Sequence, residues 1–328
     1  MKRNDGIAIA LMLLFIASVA ASLLIGAGGV TAGEIIAVLR GGEKTSAAYR
    51  IFWFVRLPRT LAAVMAGVSL SVAGMLLQLV LGNPLAAPGV IGVNSGAGLC
   101  VLACAVLAPG LAGLSPYMAF AGACVAAFGV YLLSRLTGSS HTALILAGVA
   151  VNTLLGACMD AIVTFAPDAL MSRSAFAIGG FASATMKQLF FAAPLCGLGL
   201  LMAALFRREA QILSLGDEEA LSLGVAVERF RALFLLAAAM LAGSAVSYCG
   251  LLGFVGLIAP HMARLMSRSD TRWRKLIAAL LGAVLCLVCD LAARTLFMPY
   301  ELPVGIVLSF LGAPFFLYLM LTGRRRGR

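Results

Sequence analysis

The chain is poor in charge. Only 11% of its 328 residues are Asp, Glu, Lys or Arg, less than half the roughly 25% of a soluble domain. Acidic residues are the scarcer kind, 13 against 24 basic ones, and histidine occurs twice, at His141 and His261. Two histidines so far apart, with no Cys or carboxylate cluster beside either, do not make a metal site. No G-x-x-x-x-G-K-[ST] occurs, so the chain carries no phosphate-binding loop of its own. No catalytic triad motif or H-E-x-x-H occurs either, and no catalytic residue is assigned. The eight cysteines lie in apolar segments. Cys286 and Cys289 form a C-x-x-C, and Cys100 and Cys104 sit one turn apart, but neither pair has the polar company that redox or metal chemistry needs. They read as small packing residues.

Apolar residues supply what is missing elsewhere, 62% of the chain, with a mean hydropathy of +1.06. Apolar windows fall near residues 6–26, 60–81, 92–107, 116–136, 142–165, 189–206, 230–248, 251–266, 276–295 and 304–321. A helix rising 1.5 Å per residue needs about 20 such residues to cross a bilayer. The expected fold is therefore all-α, a polytopic membrane protein of about ten transmembrane helices forming one domain over residues 1–328. The windows 92–107 and 251–266 are short. The second contains Gly253, Gly256 and Pro260, which suits a broken helix buried among its neighbours. Lys2 and Arg3 before the first apolar run resemble a signal peptide. With so many spans following, an uncleaved first helix is expected.

The basic residues orient the bundle, because cytoplasmic loops collect Lys and Arg. With the N-terminus inside and ten crossings, sixteen of the 24 fall inside, including the RRRGR tail. Dropping the short eighth span would place that tail outside. The charge sits in short loops, which is membrane topology rather than a nucleic-acid surface. The outer eight are Arg40, Lys44, Arg50, Arg56, Arg59, Arg173, Lys187 and Arg294. Five of them crowd the loop before the second span, against the rule. Arg56 and Arg59 bracket Leu57-Pro58 there, either as interfacial anchors beside Tyr49 and Trp53 or as a docking site for an acidic partner.

Three constellations stand out. Gly82-Asn83-Pro84-Leu85-Ala86-Ala87-Pro88-Gly89 cannot be a continuous helix, and its rigid mixture at a membrane boundary favours a gate or path-lining element over a plain loop. The run from Leu215 to Val225 reads as a short isolated helix. Asp217, Glu218 and Glu219 suit its N-terminal end, and Gly224 its stop. Its Ala220, Leu221 and Leu223 are too few to span and too many for a solvated loop. It is either a helix laid into a partner's groove or one lying on the bilayer. The third, Gly253 to Arg264, carries His261 at the inner end of the broken span, a lone histidine of the structural kind. Intramembrane carboxylates are candidates for ion coupling, which keeps a secondary transporter using Asp160 and Asp290 as the alternative. Asp290 has Arg294 one turn on, so a local pair is the cheaper reading. Asp160 lies near a span end, within reach of water. GVSLSVAGMLL (67–77) also echoes GSAVSYCGLL (243–252) on the opposite face, as an inverted repeat would.

Taken together, RLPRTLAAVMAGVSLSVAG (56–74), NPLAAPGVIGVNSGAG (83–98), LSLGDEEALSLGV (213–225), GFVGLIAPHMARL (253–265) and ELPVGIVLSFLGAPFFLYLML (301–321) closely resemble the permease subunits of bacterial ABC importers for iron-siderophore, haem and cobalamin, the type II importers. The resemblance runs essentially end to end. It implies ten transmembrane helices per subunit in a homodimer within the bacterial inner membrane, both termini cytoplasmic. Two cytoplasmic ATP-binding subunits would sit beneath and use ATP and Mg, this chain holding no cofactor. A periplasmic substrate-binding protein would dock above, on Arg56, Arg59 and Arg294. Asn83 and Leu85 would belong to one cytoplasmic gate, and the Ser140-His141-Thr142 turn to another, where His141 departs from the family pattern. Gly216, Asp217, Glu218, Ala220, Leu221, Leu223 and Gly224 would form the coupling helix, within a coupling loop of about 207–229. The import would proceed by alternating access. Phe165, Phe176 and Phe181 near the outer mouth would suit a large apolar cargo, with a ferric siderophore leading over haem, cobalamin or an oxyanion.

Overall fold

Long apolar runs satisfy their backbone in lipid only by coiling. The computed structural model describes residues 2–26, 29–138, 140–267 and 271–326, and it is helical, with no strand among them. Helix α1 covers Lys2–Leu24, α2 Ala32–Leu39 and α3 Ala47–Ile51. A π-helical turn, Phe52–Arg56, carries α3 into α4, Leu57–Val80. Pro58 has no N–H for the carbonyl one turn back and its ring crowds it; the wide turn just ahead lets the helix continue. A 3-10 turn, Pro88–Ile91, leads to α5, Val93–Leu107. Then come α6 (Ser115–Leu136), α7 (His141–Phe165), α8 (Ala169–Ile178), α9 (Met186–Leu205), α10 (Arg207–Leu213) and α11 (Asp217–Ser222). The chain closes with α12 (Val227–Cys249), α13 (Val255–Met266), α14 (Thr271–Thr295) and α15 (Val304–Arg326).

The bundle is built around α4, which packs against α9, α12, α13 and α14. Burial ranks the helices: 83% of α12's apolar window and 72% of α4's is buried, against 17% of α7's. The contacts that make this possible are backbone on backbone. A Cβ added at Gly67 of α4 would overlap the carbonyl of Gly282 in α14, and one at Gly282 would overlap the carbonyl of Gly67. Gly74 of α4 meets the Gly256 carbonyl of α13 in the same way. The small-residue faces of the 60–81 run thus become the surfaces along which its neighbours approach. The two echoing segments lie on α4 and on α12 with the loop after it, and these two helices pack together.

Every apolar window carries a helix, but the count of about ten crossings is not met by length. Among the described residues, seven helical stretches are long and apolar enough to cross a membrane: α1, α3–α4, α6, α7, α9, α12 and α14. The other windows hold α5 with 15 residues, α13 with 12, and the apolar stretch Val304–Leu319 of α15. The 251–266 window shortens because its first residues are not helical. Gly250 and Phe254 both take φ 66°, so α13 starts at Val255 and is about 18 Å long against a roughly 30 Å core. Helices α2, α3, α8, α10 and α11 fall between the windows. Of the basic residues used to orient the chain, Arg268 and Arg328 lie outside the described residues.

The packing makes a direct contrast between glycines. Gly74→Ala forces its methyl into the α13 backbone and should lower stability by about 1–3 kcal/mol. Gly129→Ala, in α6, where nothing lies within 4 Å of the new methyl, should be neutral or stabilising by up to about 1 kcal/mol. Thermal unfolding of the two variants in detergent checks this; equal melting temperatures would refute the close approach.

Candidate functional site

Two polar clusters cap the two ends of α4. At its N-terminal end the last carbonyls of α1 need donors. Arg56 supplies them: Nη1 donates to Leu23 and Leu24 oxygens at 3.1 and 2.7 Å, and Nη2 to those of Gly26 and Val30 at 3.4 and 3.1 Å. The negative end of the α1 dipole also offsets its charge. One turn on, Arg59 Nε donates to both oxygens of Asp290 in α14, at 3.0 and 3.1 Å. Arg59 Nη1 reaches Glu301 at 2.7 Å, in the loop before α15. Arg294 sits 3.6 Å from Asp290 and donates through Nη2 to the Ser22 carbonyl and hydroxyl, both at 2.8 Å. Ser22 in turn bonds Thr60 at 2.8 Å. Five ionised groups thereby pin α1, α4, α14 and the α14–α15 loop together.

This arrangement differs from an open docking site. Arg56, Arg59 and Arg294 are 2%, 6% and 2% exposed. Their donors are turned inward to helix-end carbonyls and to carboxylates distant in sequence, which local charge patterning does not disclose. The cheaper reading of Asp290, a pair with Arg294, is present, but Arg59 is its closer partner. Asp160 is surface-exposed and pairs with Arg173 at 2.5 Å. Beside this cluster lies a cavity of about 430 Å³ lined by Arg59, Phe176, Phe181, Tyr248 and Glu301. Phe165, expected with those two phenylalanines, is instead 89% exposed on α7.

At the C-terminal end, α4 stops at Val80 and Gly82 takes φ 56°. Asn83 turns its side chain back, Oδ1 accepting from the Leu85 N–H at 2.9 Å. Gln78, in the last turns, accepts from Arg264 of α13 and approaches the Gly256 carbonyl with its amide at 3.3 Å. The 3-10 turn is tied to α7 through Asn152, which donates to the Gly89 carbonyl at 2.9 Å and accepts from Ser95 at 2.7 Å. Ser140 caps α7, accepting from the Ala143 N–H at 3.0 Å. This cap places the His141 ring against Gly82, so the two segments expected at gates, 82–85 and 140–142, meet; Thr142 faces outward. A cavity of about 480 Å³ opens here, bounded by Gln78, Gly82, His141, Asp217 and Arg264.

Helices α10 and α11 close that cavity. Gly216, at φ 131°, precedes α11, and Gly224, at φ 77°, ends it. Asp217, Glu218 and Glu219 occupy the first turn. Ala220 is fully buried, whereas Leu221 and Leu223 are 61% and 60% exposed. Asp217 holds Arg231 of α12 at 2.5 Å, and Arg231 also reaches His141 at 2.7 Å. Arg231, Asn152 and Glu301 were not marked by sequence reasoning. Arg231 was read as an inner-loop charge and as one of the basic pair ahead of the 243–252 echo, and its partners lie 14 and 90 residues away. His261 packs its ring against Phe315 at 5.9 Å.

The comparisons with known proteins agree along the chain. The model of the FecCD transport family matches residues 13–322. The hemin transport system permease protein HmuU of Yersinia pestis is 40% identical over 290 residues, 85% of this chain and 86% of that one. The cobalamin import system permease protein BtuC of Halobacterium salinarum is 38% identical over 269 residues, 81% of this chain and 72% of that one. A solved inward-facing structure of a metal-chelate type ABC transporter superposes with a TM-score of 0.83 at 28% identity, covering 97% of this chain and 99% of that one.

Asp290 is the carboxylate that both Arg59 and Arg294 face. Asp290→Asn should destabilise the protein by about 3–5 kcal/mol, since it takes the facing carboxylate from buried Arg294 and leaves Arg59 with Glu301 alone. Asp160→Asn, at an exposed pair, should change stability by about 1 kcal/mol or less. Melting curves in detergent measure both, and an unshifted Asp290→Asn curve would contradict the cluster's structural role.

Proposed function

The chain belongs to the FecCD transport family, and from that premise we propose that it is the multi-pass permease subunit of an ATP-binding-cassette importer for a bulky metal chelate. Ferric siderophore, haem and cobalamin are the cargo classes. Two copies form the path across the bacterial inner membrane, two cytoplasmic ATPase subunits bind ATP and Mg beneath them, and a periplasmic protein delivers the cargo. Each copy crosses ten times, with α5, α13 and α15 completing the seven longer spans, and both termini are cytoplasmic. The N-terminal end of α4 then faces the periplasm. The contact with the delivery protein is made by the exposed Arg40, Lys44 and Arg50, and Arg56, Arg59 and Arg294 hold the shape beneath it.

The observation that carries this reading is α11. It is a six-residue helix, folded onto α12 through Arg231 and Ala220, with Leu221 and Leu223 projecting free. Two exposed leucines on a short, anchored helix suit a hydrophobic groove on a partner. The chain has no phosphate-binding loop, so the nucleotide belongs to that partner. When the ATPases close on ATP, α11 and the segments 82–85 and 140–142 beside it move, and the end of the path that is open switches. An ion-coupled transporter is not favoured, because Asp290 is held by two arginines and Asp160 by a third.

Leu221→Asp together with Leu223→Asp should cut ATPase association about thirtyfold or more, the loss of roughly 2 kcal/mol of interface contact, while membrane insertion stays normal. Co-purification of the ATPase with the tagged permease measures it. Undiminished recovery would defeat the role of α11.

A further inference from the structure

His141 touches at once Arg231, which anchors α11, and the turn that ends α4. The Arg231 guanidinium is always protonated and each of its terminal nitrogens has two hydrogens. Nη2 directs one to Asp217 Oδ2 on α11, at 2.5 Å, and faces His141 Nε2 at 2.7 Å. An arginine nitrogen only donates, so Nε2 must be the bare, accepting nitrogen of a neutral ring, with the proton on Nδ1. The same ring faces the Val80 carbonyl, the last residue of α4, and lies against Gly82, where the helix breaks. The connection runs α11, Arg231, His141, α4.

Protonation reverses the sign of its middle contact. An imidazolium would turn an N–H toward the Arg231 N–H, cation against cation. The charged groups acting on the ring are Asp217 from α11 and Arg231 from α12; Arg264 from α13 and Arg274 and Lys275 from α14 line the same cavity. Asp217 is the sole carboxylate among these, and Arg231 already occupies it. From α4 and the turn after it the cavity receives only uncharged groups, Met75, Leu76, Gln78, Leu79, Gly82 and Pro84.

We propose that His141 and Arg231 are positioning residues that hold α11 in register with the C-terminal end of α4, and that the link exists with neutral His141 and is released when His141 takes a proton. Its consequence for transport rests on the ATP-driven importer reading: coupling is intact while His141 is neutral and is lost as falling cytoplasmic pH puts a proton on it. The physical link itself needs no partner subunit.

The test uses the full chain in lipid nanodiscs, with spin labels at Glu218 of α11 and Leu85 of the gate turn. Native cysteines are replaced, and labelled chain is diluted with unlabelled. The distance distribution is measured by pulsed electron resonance at pH 8 and pH 5.5. Wild type should give one narrow distance at pH 8 and a broadened or two-peaked distribution at pH 5.5. His141→Gln keeps an acceptor toward Arg231 and does not titrate, so it should stay narrow at both values. His141→Lys should be broad at both. A wild-type distribution that ignores pH, or a His141→Gln distribution that broadens as wild type does, overturns the proposal. Loss of ATPase co-purification by the native chain would overturn the importer reading instead, and leaves these distances interpretable.

Discussion

In a bilayer, lipid tails solvate an apolar side chain as well as a neighbouring helix does, so helices stay together only where packing and polar contacts outdo lipid. This protein meets that constraint along α4. Gly67 and Gly74 remove the side chains that would hold α14 and α13 away, and Gly282 and Gly256 do the same from the other side. With the backbones in contact, α4 becomes a rigid rod whose two ends report to different parts of the molecule. The Arg56–Arg59–Asp290–Arg294 cluster secures one end, and Gln78, Arg264 and His141 surround the other.

The two ends are built differently for a physical reason. At the N-terminal end Arg56, Arg59, Asp290 and Arg294 are buried, and removing Asp290 would take away the carboxylate that both Arg59 and Arg294 face. Such a cluster resists rearrangement. At the C-terminal end the contacts run through a glycine-proline turn, a six-residue helix and single hydrogen bonds across a cavity. Segments with few buried apolar contacts open most readily. The stiff part and the yielding part are thus arranged along one helix.

Much of this was legible in the chain. Composition alone demanded helices, and the ten apolar windows located the long ones, because lipid leaves the backbone no alternative; the short helices α2, α3, α8 and α10 lie outside them. The short helix α11 was legible between Gly216 and Gly224, since dipole-matched acids and a terminal glycine are local signals. The roles of Arg56, Arg59 and Arg294 were not. Sequence position says on which side of the membrane a charge falls, but not that Asp290, 231 residues from Arg59, closes against it. Phe254, at positive φ, shortened α13 for a similar reason: a bulky residue in that conformation is held by its surroundings, not by propensity. His141 was visible as part of an expected gate turn and as a departure from the family pattern, but its contact with Arg231, which arrives from another helix, was not.

The energy source is the most direct test of the account. Proteoliposomes would hold the permease with its ATPase and delivery protein, and uptake of haem, a ferric hydroxamate and cobalamin would be followed in turn. The account predicts uptake of at least one of these that requires ATP and Mg on the ATPase side and is indifferent to a proton ionophore. Uptake by the permease alone, driven by an imposed proton gradient and independent of ATP, would contradict it.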